Sequence, residues 1–226
     1  MREEVLAIAR DLHRLRLVEG TAGNVSARLS DETVCVTPSG LSYDEMTVDD
    51  LVVVDVTGAV VNGRRPPSSE LALHLACYRT FPEVGGVVHS HPAEASAFAA
   101  ARRPIPVPVD EFALHVGGEV PVAAYAPSGS LDLGRQAAAV LAKVGAALLA
   151  NHGLVAVGSG PHDALHVSAL VERAARIVRV ALELGGLTAV PADVLADFAR
   201  SYRQRRAQWR HITQVPMDKP NRELEY

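Results

Sequence analysis

The sequence predicts a mixed α/β fold in which helices cover a mostly antiparallel central sheet. Short β-branched runs bounded by Pro, Gly and Asp recur along the chain, and longer segments have apolar residues at helical spacing. The strand-like runs come in clusters, whereas strict alternation with helices would predict a doubly wound sheet. With 226 residues, 48% of them apolar, the chain can bury one sizeable core. We therefore expect a single domain over residues 1–226, with a C-terminal tail from about 205.

Six segments have the apolar periodicity that is typical of helices. The first is expected over about residues 2–18 and ends near Gly20. Charges interrupt its apolar positions, so it resembles a surface helix more than a signal peptide. The other helices are expected at about 69–80, 92–101, 131–143, 161–185 and 191–210.

Six apolar runs are typical of buried strands. They read TVCVTP, LVVVDV, AVVNG, GGVVHSH, EVPVAAY and AALLANHG. The segment TAGNVSARLS is expected to be a loop that enters a further short strand. The segment RRPIPVPVDEF is rich in proline, so we expect it to run extended across the surface or an interface.

Charge and composition narrow the classes of partner. The formal net charge is -4 and no long run of Lys or Arg precedes the tail, which argues against a nucleic-acid partner. No stretch approaches the roughly 20 apolar residues that cross a bilayer, and no targeting segment is visible. Cys35 and Cys77 are too few for a disulfide framework and are expected in the core. The sequence thus predicts a soluble, cytoplasmic protein that binds small metabolites, without nucleic-acid or membrane partners.

Three histidines stand at the ends of apolar runs. His89 and His91 alternate along the run GGVVHSHP, so both imidazoles can lie on one face of a strand and reach one ion. His152 ends the run ALLANHG, where Gly153 permits a tight turn. Zinc suits three nitrogen ligands best, although manganese or cobalt would also be tolerated. We assign no role to the remaining histidines, which are His13, His74, His115, His162, His166 and His211.

Three polar motifs offer hydroxyls and amides for an anion. They read TAGNVS from Thr21, TPSG from Thr37 and PSSE from Pro67. Ser68 and Ser69 precede a helical pattern, and a helix N-terminus presents free N–H groups to a phosphate. Each motif alone is also typical of an ordinary turn or helix cap. Glu70 follows directly, so it is our candidate for proton transfer, with a helix first-turn glutamate as the alternative.

Taken together, TAGNVSAR, TPSG, PSSE, HSHP and NHGL resemble the class II aldolase/adducin-head family, and within it the fuculose-1-phosphate aldolase branch. The likeness extends from residue 2 to about residue 200. It implies a three-layer α/β/α fold around a nine-stranded, mostly antiparallel sheet. It also implies a homotetramer with fourfold symmetry and active sites at subunit interfaces.

The resemblance gives each matching residue a role. His89, His91 and His152 become ligands of one Zn²⁺ per subunit, and Glu70 becomes an acid/base that also ligates zinc without substrate. The phosphate-binding positions are Thr21, Asn24, Ser39, Gly40, Ser68 and Ser69. The implied reaction cleaves a ketose 1-phosphate, such as L-fuculose 1-phosphate, to dihydroxyacetone phosphate and a small aldehyde. Zinc would stabilise the enediolate as a Lewis acid, and no lysine occurs before Lys143 to support a Schiff-base route.

At one position the chain departs from the aldolase pattern. Asp110 stands where the aldolases carry a catalytic tyrosine, and it resembles the catalytic aspartate of the ribulose-5-phosphate 4-epimerases. Those epimerases have an aspartate where Glu70 stands here, so aldolase is our first expectation and epimerase the alternative. Tyr202 is the nearest match to a tyrosine that covers the family's site, with an aromatic of the helix as the alternative role.

The resemblance is compatible with two other functions of the family. An adducin-type interaction module needs neither three metal-binding histidines nor Glu70 and the phosphate motifs, so the sequence argues against it. A decarboxylase that acts on a phosphorylated oxo-acid stays open, as does the identity of the aldehyde. The tail beyond residue 204 could be an oligomer contact or disordered, and its arginines are typical of a solvated face.

Overall fold

A computed structural model of the chain describes residues 1–212, with side chains as far as residue 209. An eight-stranded sheet forms the centre of this part of the chain. Its strands are β1 (Asn24–Arg28), β2 (Thr33–Val36), β3 (Val52–Asp55), β4 (Val60–Asn62), β5 (Gly86–Ser90), β6 (Val122–Ala123), β7 (Ala146–Leu149) and β8 (Gly153–Gly158). The order across the sheet is β4-β3-β2-β1-β5-β8-β7-β6. Among these eight described strands, β6–β7 is the one parallel pair, which confirms the mostly antiparallel sheet.

In residues 1–212, seven α-helices cover the two faces of the sheet. They are α1 (Arg2–Arg14), α2 (Leu71–Thr80), α3 (Ala93–Ala100), α4 (Asp110–Val116), α5 (Leu131–Leu141), α6 (Pro161–Glu183) and α7 (Ala192–Ile212). Buried residues of α2 and α5 pack with those of α7 on one face. Buried residues of α3, α4 and α6 pack on the other face of the sheet. The helix α1 covers the part of that face near β1. The predicted three-layer α/β/α fold is confirmed.

The alternation of residues along the central strands produces these two cores. Val155 and Val157 of β8 contact the layer of α2 and α5, while Leu154 and Ala156 contact the layer of α6. Both sets are fully buried, as expected for a strand covered on both faces. Cys35 and Cys77 are also buried and unpaired, as predicted from their number.

The structure corrects four details of the sequence-based expectations. The resemblance implies nine strands, whereas eight lie within the described residues. The strand β8 was missed, and the strand expected over residues 119–125 shortens to Val122–Ala123. The segment expected to be extended as far as Phe112 becomes the helix α4 at Asp110. Its prolines end at Pro108, so proline geometry no longer constrains the backbone after Val109.

The helix α7 carries the chain back onto the core. The boundary of the tail near residue 205 falls inside this helix, and residues 213–226 lie outside the described part. Arg206 is 5% exposed and donates hydrogen bonds to Glu83 and to the carbonyl oxygens of Leu141 and Val144. Trp209 is 7% exposed in the same core. No helix in residues 1–212 is long and apolar enough to cross a membrane.

Candidate metal centre and phosphate cavity

Two of the three candidate histidines come from β5 and its end. His89 pairs in the sheet with Asn24 of β1 on one side and with Val155 of β8 on the other. His91 lies two residues further, so its side chain leaves the strand on the same side as that of His89. Their Nε2 atoms are 2.9 Å apart. The predicted convergence of this His-x-His pair is therefore present in the structure.

The third histidine lies in the short connection between β7 and β8. Asn151 precedes it with a left-handed φ of 55°, which turns the chain back on itself. The centroid of the His152 ring is 4.7 Å from that of His89 and 5.1 Å from that of His91. Because β8 pairs with β5, this turn lies beside His91, and the three imidazoles meet at one end of the central strands.

Glu70 places a carboxylate among these rings. It immediately precedes α2 and is only 5% exposed. Its Oε2 atom is 2.8 Å from Nε2 of His89, and its Oε1 atom is 3.3 Å from Nε2 of His152. One ligand atom from each of Glu70, His89, His91 and His152 lies within 4.8 Å of the others.

The chemistry of these four side chains fits a divalent cation. Nδ1 of His89 is 2.9 Å from the carbonyl oxygen of Leu154, so Nδ1 donates to that oxygen and Nε2 is the nitrogen that faces the other ligands. This Nε2 lies 2.8 Å from Oε2 of Glu70 and 2.9 Å from Nε2 of His91. Lone pairs that converge in a buried site repel one another unless a cation lies between them. Three imidazole nitrogens and one carboxylate oxygen are a donor set typical of zinc.

The surroundings favour the unprotonated forms that a cation needs. Burial lowers the pKa of His91 to about 4, with help from the charges of His89 and His152. Burial also lowers the pKa of His152. For Glu70, burial alone would raise the pKa, but the hydrogen bond and charge of His89, the Ser128 hydroxyl and the charge of His152 hold it far below its ordinary range. Neutral imidazoles and an ionised carboxylate are the metal-binding forms.

A cavity of about 190 Å³ opens beside this group, lined by Glu70, His91 and His152. The polar turns of all three sequence motifs line it as well. The six predicted phosphate-binding residues are all among the lining residues, namely Thr21, Asn24, Ser39, Gly40, Ser68 and Ser69. Among the described residues, no Lys or Arg lines the cavity. An anion there would therefore be held by hydroxyls and N–H groups, together with the N-terminal end of α2.

Sequence reasoning missed one side chain of this cavity. Ser128 lies in the loop between β6 and α5, and its hydroxyl donates to Oε1 of Glu70 at 2.7 Å. Gly129 lets this loop approach closely, since a Cβ there would lie 2.9 Å from the carbonyl oxygen of Ser69. The signal was present in the sequence, because Pro127-Ser128-Gly129 repeats the Pro-Ser-Gly of the TPSG motif.

Sequence reasoning also missed His74, which was assigned no role. It is fully buried on α2, and its Nε2 is 2.5 Å from Oδ1 of Asn24. Asn24 in turn donates from Nδ2 to Oε2 of Glu70 at 3.3 Å. Asn24, predicted to hold phosphate, thus also contacts the carboxylate.

The structure does not bring Asp110 or Tyr202 to this cavity. Asp110 is exposed at the start of α4 and does not line it. Tyr202 is 1% exposed, and its ring packs against Gly117 with its hydroxyl beside Gly145. Gly145 precedes β7 and His152 follows it, so about 13 Å of strand separates Tyr202 from the histidines. Burial raises the pKa of Tyr202 to about 12, and its packing assigns it to the core.

Replacing Gly153 by alanine should displace the histidines. A Cβ at this position would lie 2.5 Å from the carbonyl oxygen of Ser90 and 2.7 Å from Cδ2 of His91, so the β8 turn must shift. We expect a loss of roughly 1–3 kcal/mol in the free energy of unfolding, the usual cost of overpacking, and weaker zinc binding. Denaturant unfolding and zinc titration would measure both.

The matched control for this change is Gly160→Ala. Its Cβ would meet only an ordinary contact, 3.7 Å from Oε1 of Glu4, and φ at Gly160 is −162°. Because Gly160 is distant from the histidines, its alanine variant should bind zinc as the unaltered protein does. Equal zinc affinity in both variants would contradict the proposed role of Gly153.

The fold and the site together define an α/β/α protein in which a small polar cavity borders four side chains that could bind a metal ion. The sequence profile of the Class II Aldolase and Adducin N-terminal domain family matches residues 3–178. The chain belongs to this family, and the predicted membership is confirmed. Since it retains the histidines and glutamate that could bind a metal, it is an enzyme of the class II aldolase type.

Two activities occur among the curated relatives. An L-ribulose-5-phosphate 4-epimerase, UlaF of Salmonella paratyphi B, is 37% identical over 193 residues, which cover 80% of this chain and 85% of the epimerase. An L-fuculose phosphate aldolase of Escherichia coli O6:H1 is 34% identical over 194 residues, which cover 86% of this chain and 87% of the aldolase. The similar identities to both enzymes support membership of the family, but they do not distinguish between the aldolase and the epimerase reaction.

Solved structures agree in fold. An L-fuculose 1-phosphate aldolase superposes with a TM-score of 0.85 and 32% identity, over 89% of this chain and 95% of the other. YgbL of Klebsiella pneumoniae, described as an aldolase, epimerase or decarboxylase, superposes with a TM-score of 0.80 and 29% identity, over 87% and 96% of the two chains.

Proposed function

We propose that the protein is a zinc-dependent aldolase that cleaves a small ketose 1-phosphate to dihydroxyacetone phosphate and an aldehyde. The observation that carries this proposal is the position of Glu70. Its carboxylate lies between His89 and His152 and also borders the hydroxyl-lined cavity. A base in this position can reach a carbon that lies between a bound phosphate and a bound cation.

The cavity supports a small phosphorylated substrate. At about 190 Å³ it is smaller than the roughly 300 Å³ at which pockets for drug-sized ligands begin, so it suits a triose phosphate unit. We propose that Thr21, Ser39, Ser68 and Ser69 hold the phosphate with the N–H groups of the turn at Gly40. The aldehyde end of the substrate would then point out of the cavity.

Different residues of this chain are proposed to carry the separate proton transfers of the reaction. A zinc ion held by His89, His91 and His152 would act as a Lewis acid toward the negative charge left on the triose. In the cleavage direction, a base removes the proton of the hydroxyl on the fourth carbon, and the bond between the third and fourth carbons breaks. Its electron pair stays with the third carbon. Glu70, which in this direction first takes up a proton from solvent, then delivers that proton to the third carbon. Ser128 and Asn24 hold the two oxygens of Glu70 during this transfer.

We propose that Asp110 is the base for that hydroxyl in the active site of a neighbouring subunit. It lies outside the cavity of its own chain and is exposed, so an assembly with sites at subunit interfaces would give it access.

A homotetramer with fourfold symmetry is the assembly that we propose, with mass measurement in solution as its test. A substrate that carries a phosphate is made and retained inside cells, which supports a cytoplasmic enzyme.

The second candidate is an L-ribulose-5-phosphate 4-epimerase, favoured by Asp110 and by the similarity to UlaF. Glu70 is the observation against it, because those epimerases carry an aspartate at this position. Both reactions break the same kind of carbon–carbon bond, but the epimerase must remake it before the aldehyde leaves.

One assay separates the two functions. Release of dihydroxyacetone phosphate from L-fuculose 1-phosphate is measured by a coupled reaction. Formation of xylulose 5-phosphate from L-ribulose 5-phosphate is measured with the same protein sample. We expect triose phosphate release that stops with a chelator and returns with zinc, but not with buffer alone; manganese and cobalt are tested in parallel. Formation of xylulose 5-phosphate from L-ribulose 5-phosphate, without release of dihydroxyacetone phosphate from L-fuculose 1-phosphate, would instead establish the epimerase.

A further inference from the structure

A buried chain of hydrogen bonds leads from the core to Glu70. It runs from the hydroxyl of Tyr78 to Oγ of Ser26 at 2.9 Å, and from there to Nδ1 of His74 at 2.5 Å. From Nε2 of His74 it continues to Oδ1 of Asn24 at 2.5 Å, and from Nδ2 of Asn24 to Oε2 of Glu70 at 3.3 Å. All five residues are at most 5% exposed, so these polar atoms form hydrogen bonds with protein groups and not with bulk water.

Two elements of the fold bring the chain together. Asn24 and Ser26 are alternate residues of β1, so their side chains lie on the same face of the sheet. His74 and Tyr78 are four residues apart on α2, which places them on the same side of that helix. The strand face and the helix side meet, and His74 bonds to both residues of β1.

The direction of the hydrogen bonds follows from their two ends. Ionised Glu70 only accepts, so Asn24 must present its N–H₂ group to Oε2 and its carbonyl oxygen to His74. Nε2 of His74 must then donate to that oxygen, because a neutral imidazole carries one proton. Nδ1 is left to accept from Ser26, which accepts from Tyr78. The opposite orientation of the Asn24 amide would place its oxygen 3.3 Å from the carboxylate and repel it.

We infer that His74 is a positioning residue, which fixes the Asn24 amide so that an N–H donor always faces the catalytic carboxylate of Glu70. This inference rests on the proposed role of Glu70 in proton transfer. Without His74, the amide could rotate, and Glu70 would lose a donor and one of the contacts that hold its oxygen. Burial lowers the pKa of His74 to about 3, which is consistent with a neutral ring that donates from one nitrogen only.

A double-mutant cycle tests whether His74 acts through Asn24. We expect His74→Leu to lower kcat about 10- to 100-fold, as for loss of a hydrogen bond to a charged group, with a small change in KM. In an Asn24→Ala background the same change should cause no further loss. His74→Gln, whose amide can donate to the Asn24 oxygen, should restore kcat to within about threefold of the unaltered protein. Additive losses, or no restoration by Gln, would overturn the inference.

The matched cycle pairs His74→Leu with Ser39→Ala. Ser39 lines the same cavity but is not part of the hydrogen-bonded chain, so these two losses should add. Zinc content and the thermal midpoint of each variant are measured alongside. If His74→Leu does not fold, Ser26→Ala breaks the chain from the other side of His74 and replaces it in the cycle with Asn24→Ala.

A spectroscopic measurement tests the role of His74 without relying on enzyme activity. Long-range ¹H–¹⁵N correlation on histidine-labelled protein reports which ring nitrogen carries the proton, and His74→Gln identifies the signal of His74. We expect the neutral form protonated at Nε2; a ring protonated at Nδ1 would contradict the inference. If the unaltered protein neither releases triose phosphate nor interconverts the pentulose phosphates, the proposed function fails instead, while the proton position still tests His74.

Discussion

Replacing His91 by alanine is expected to remove the bound zinc and with it all measurable activity. His91 supplies one of three imidazoles that converge with Glu70, and its Nε2 is 2.9 Å from that of His89. Loss of a residue that merely orients a ligand costs about 10- to 100-fold in metal affinity or activity. Loss of the ligand itself should therefore exceed 100-fold in both.

Metal analysis after dialysis would measure the first effect, and the triose phosphate assay the second. His162→Ala is the matched control, because His162 is an exposed histidine of α6 that does not line the cavity. It should keep both zinc and activity. Stoichiometric zinc in the His91 variant would rule out His91 as a ligand.

Replacing Glu70 by glutamine is expected to separate metal binding from proton transfer. The three imidazoles remain, so zinc should stay largely bound. The amide cannot take up or deliver the proton, and general acid–base groups typically contribute about 10²- to 10⁴-fold. We expect cleavage to fall by that factor and solvent exchange of the dihydroxyacetone phosphate proton to become undetectable.

Exchange is followed by NMR in deuterated buffer, with zinc content determined on the same sample. Glu94→Gln provides a matched control, since Glu94 is also held by hydrogen bonds, here from Arg179, but lies outside the cavity. Its exchange rate should equal that of the unaltered protein. Persistent exchange in the Glu70 variant would mean that another group is the base.

Local patterns in the sequence predicted those parts of the site that depend on local geometry. The alternation of His89 and His91 is a property of any strand, and the helix after Ser69 follows from its own apolar spacing. The layers and the antiparallel character of the sheet followed from the clustering of strand-like runs. Resemblance to a family then supplied the combination of the separate motifs.

The residues that sequence reasoning missed depend on contacts between distant segments. His74 lies within a helical pattern and becomes part of the site only because α2 packs against β1, 50 residues earlier in the chain. Ser128 reaches Glu70 across 58 residues. The helix α4 has only seven residues, too few for a clear apolar period, and the prolines before it obscured its start. Tyr202 lies away from the cavity of its own chain because α7 covers the start of β7, and the sequence alone cannot tell which end of β7 that helix covers.

The absence of Lys and Arg from the described lining of the cavity has a consequence for how the protein selects anions. Dissolved salt screens attraction between separated charges over about 8 Å at physiological ionic strength, but it weakens short hydrogen bonds in a recess much less. Substrate affinity should therefore vary little with ionic strength. Discrimination among anions then depends on tetrahedral shape and hydrogen-bond geometry, so sulfate should compete with substrate while chloride should not.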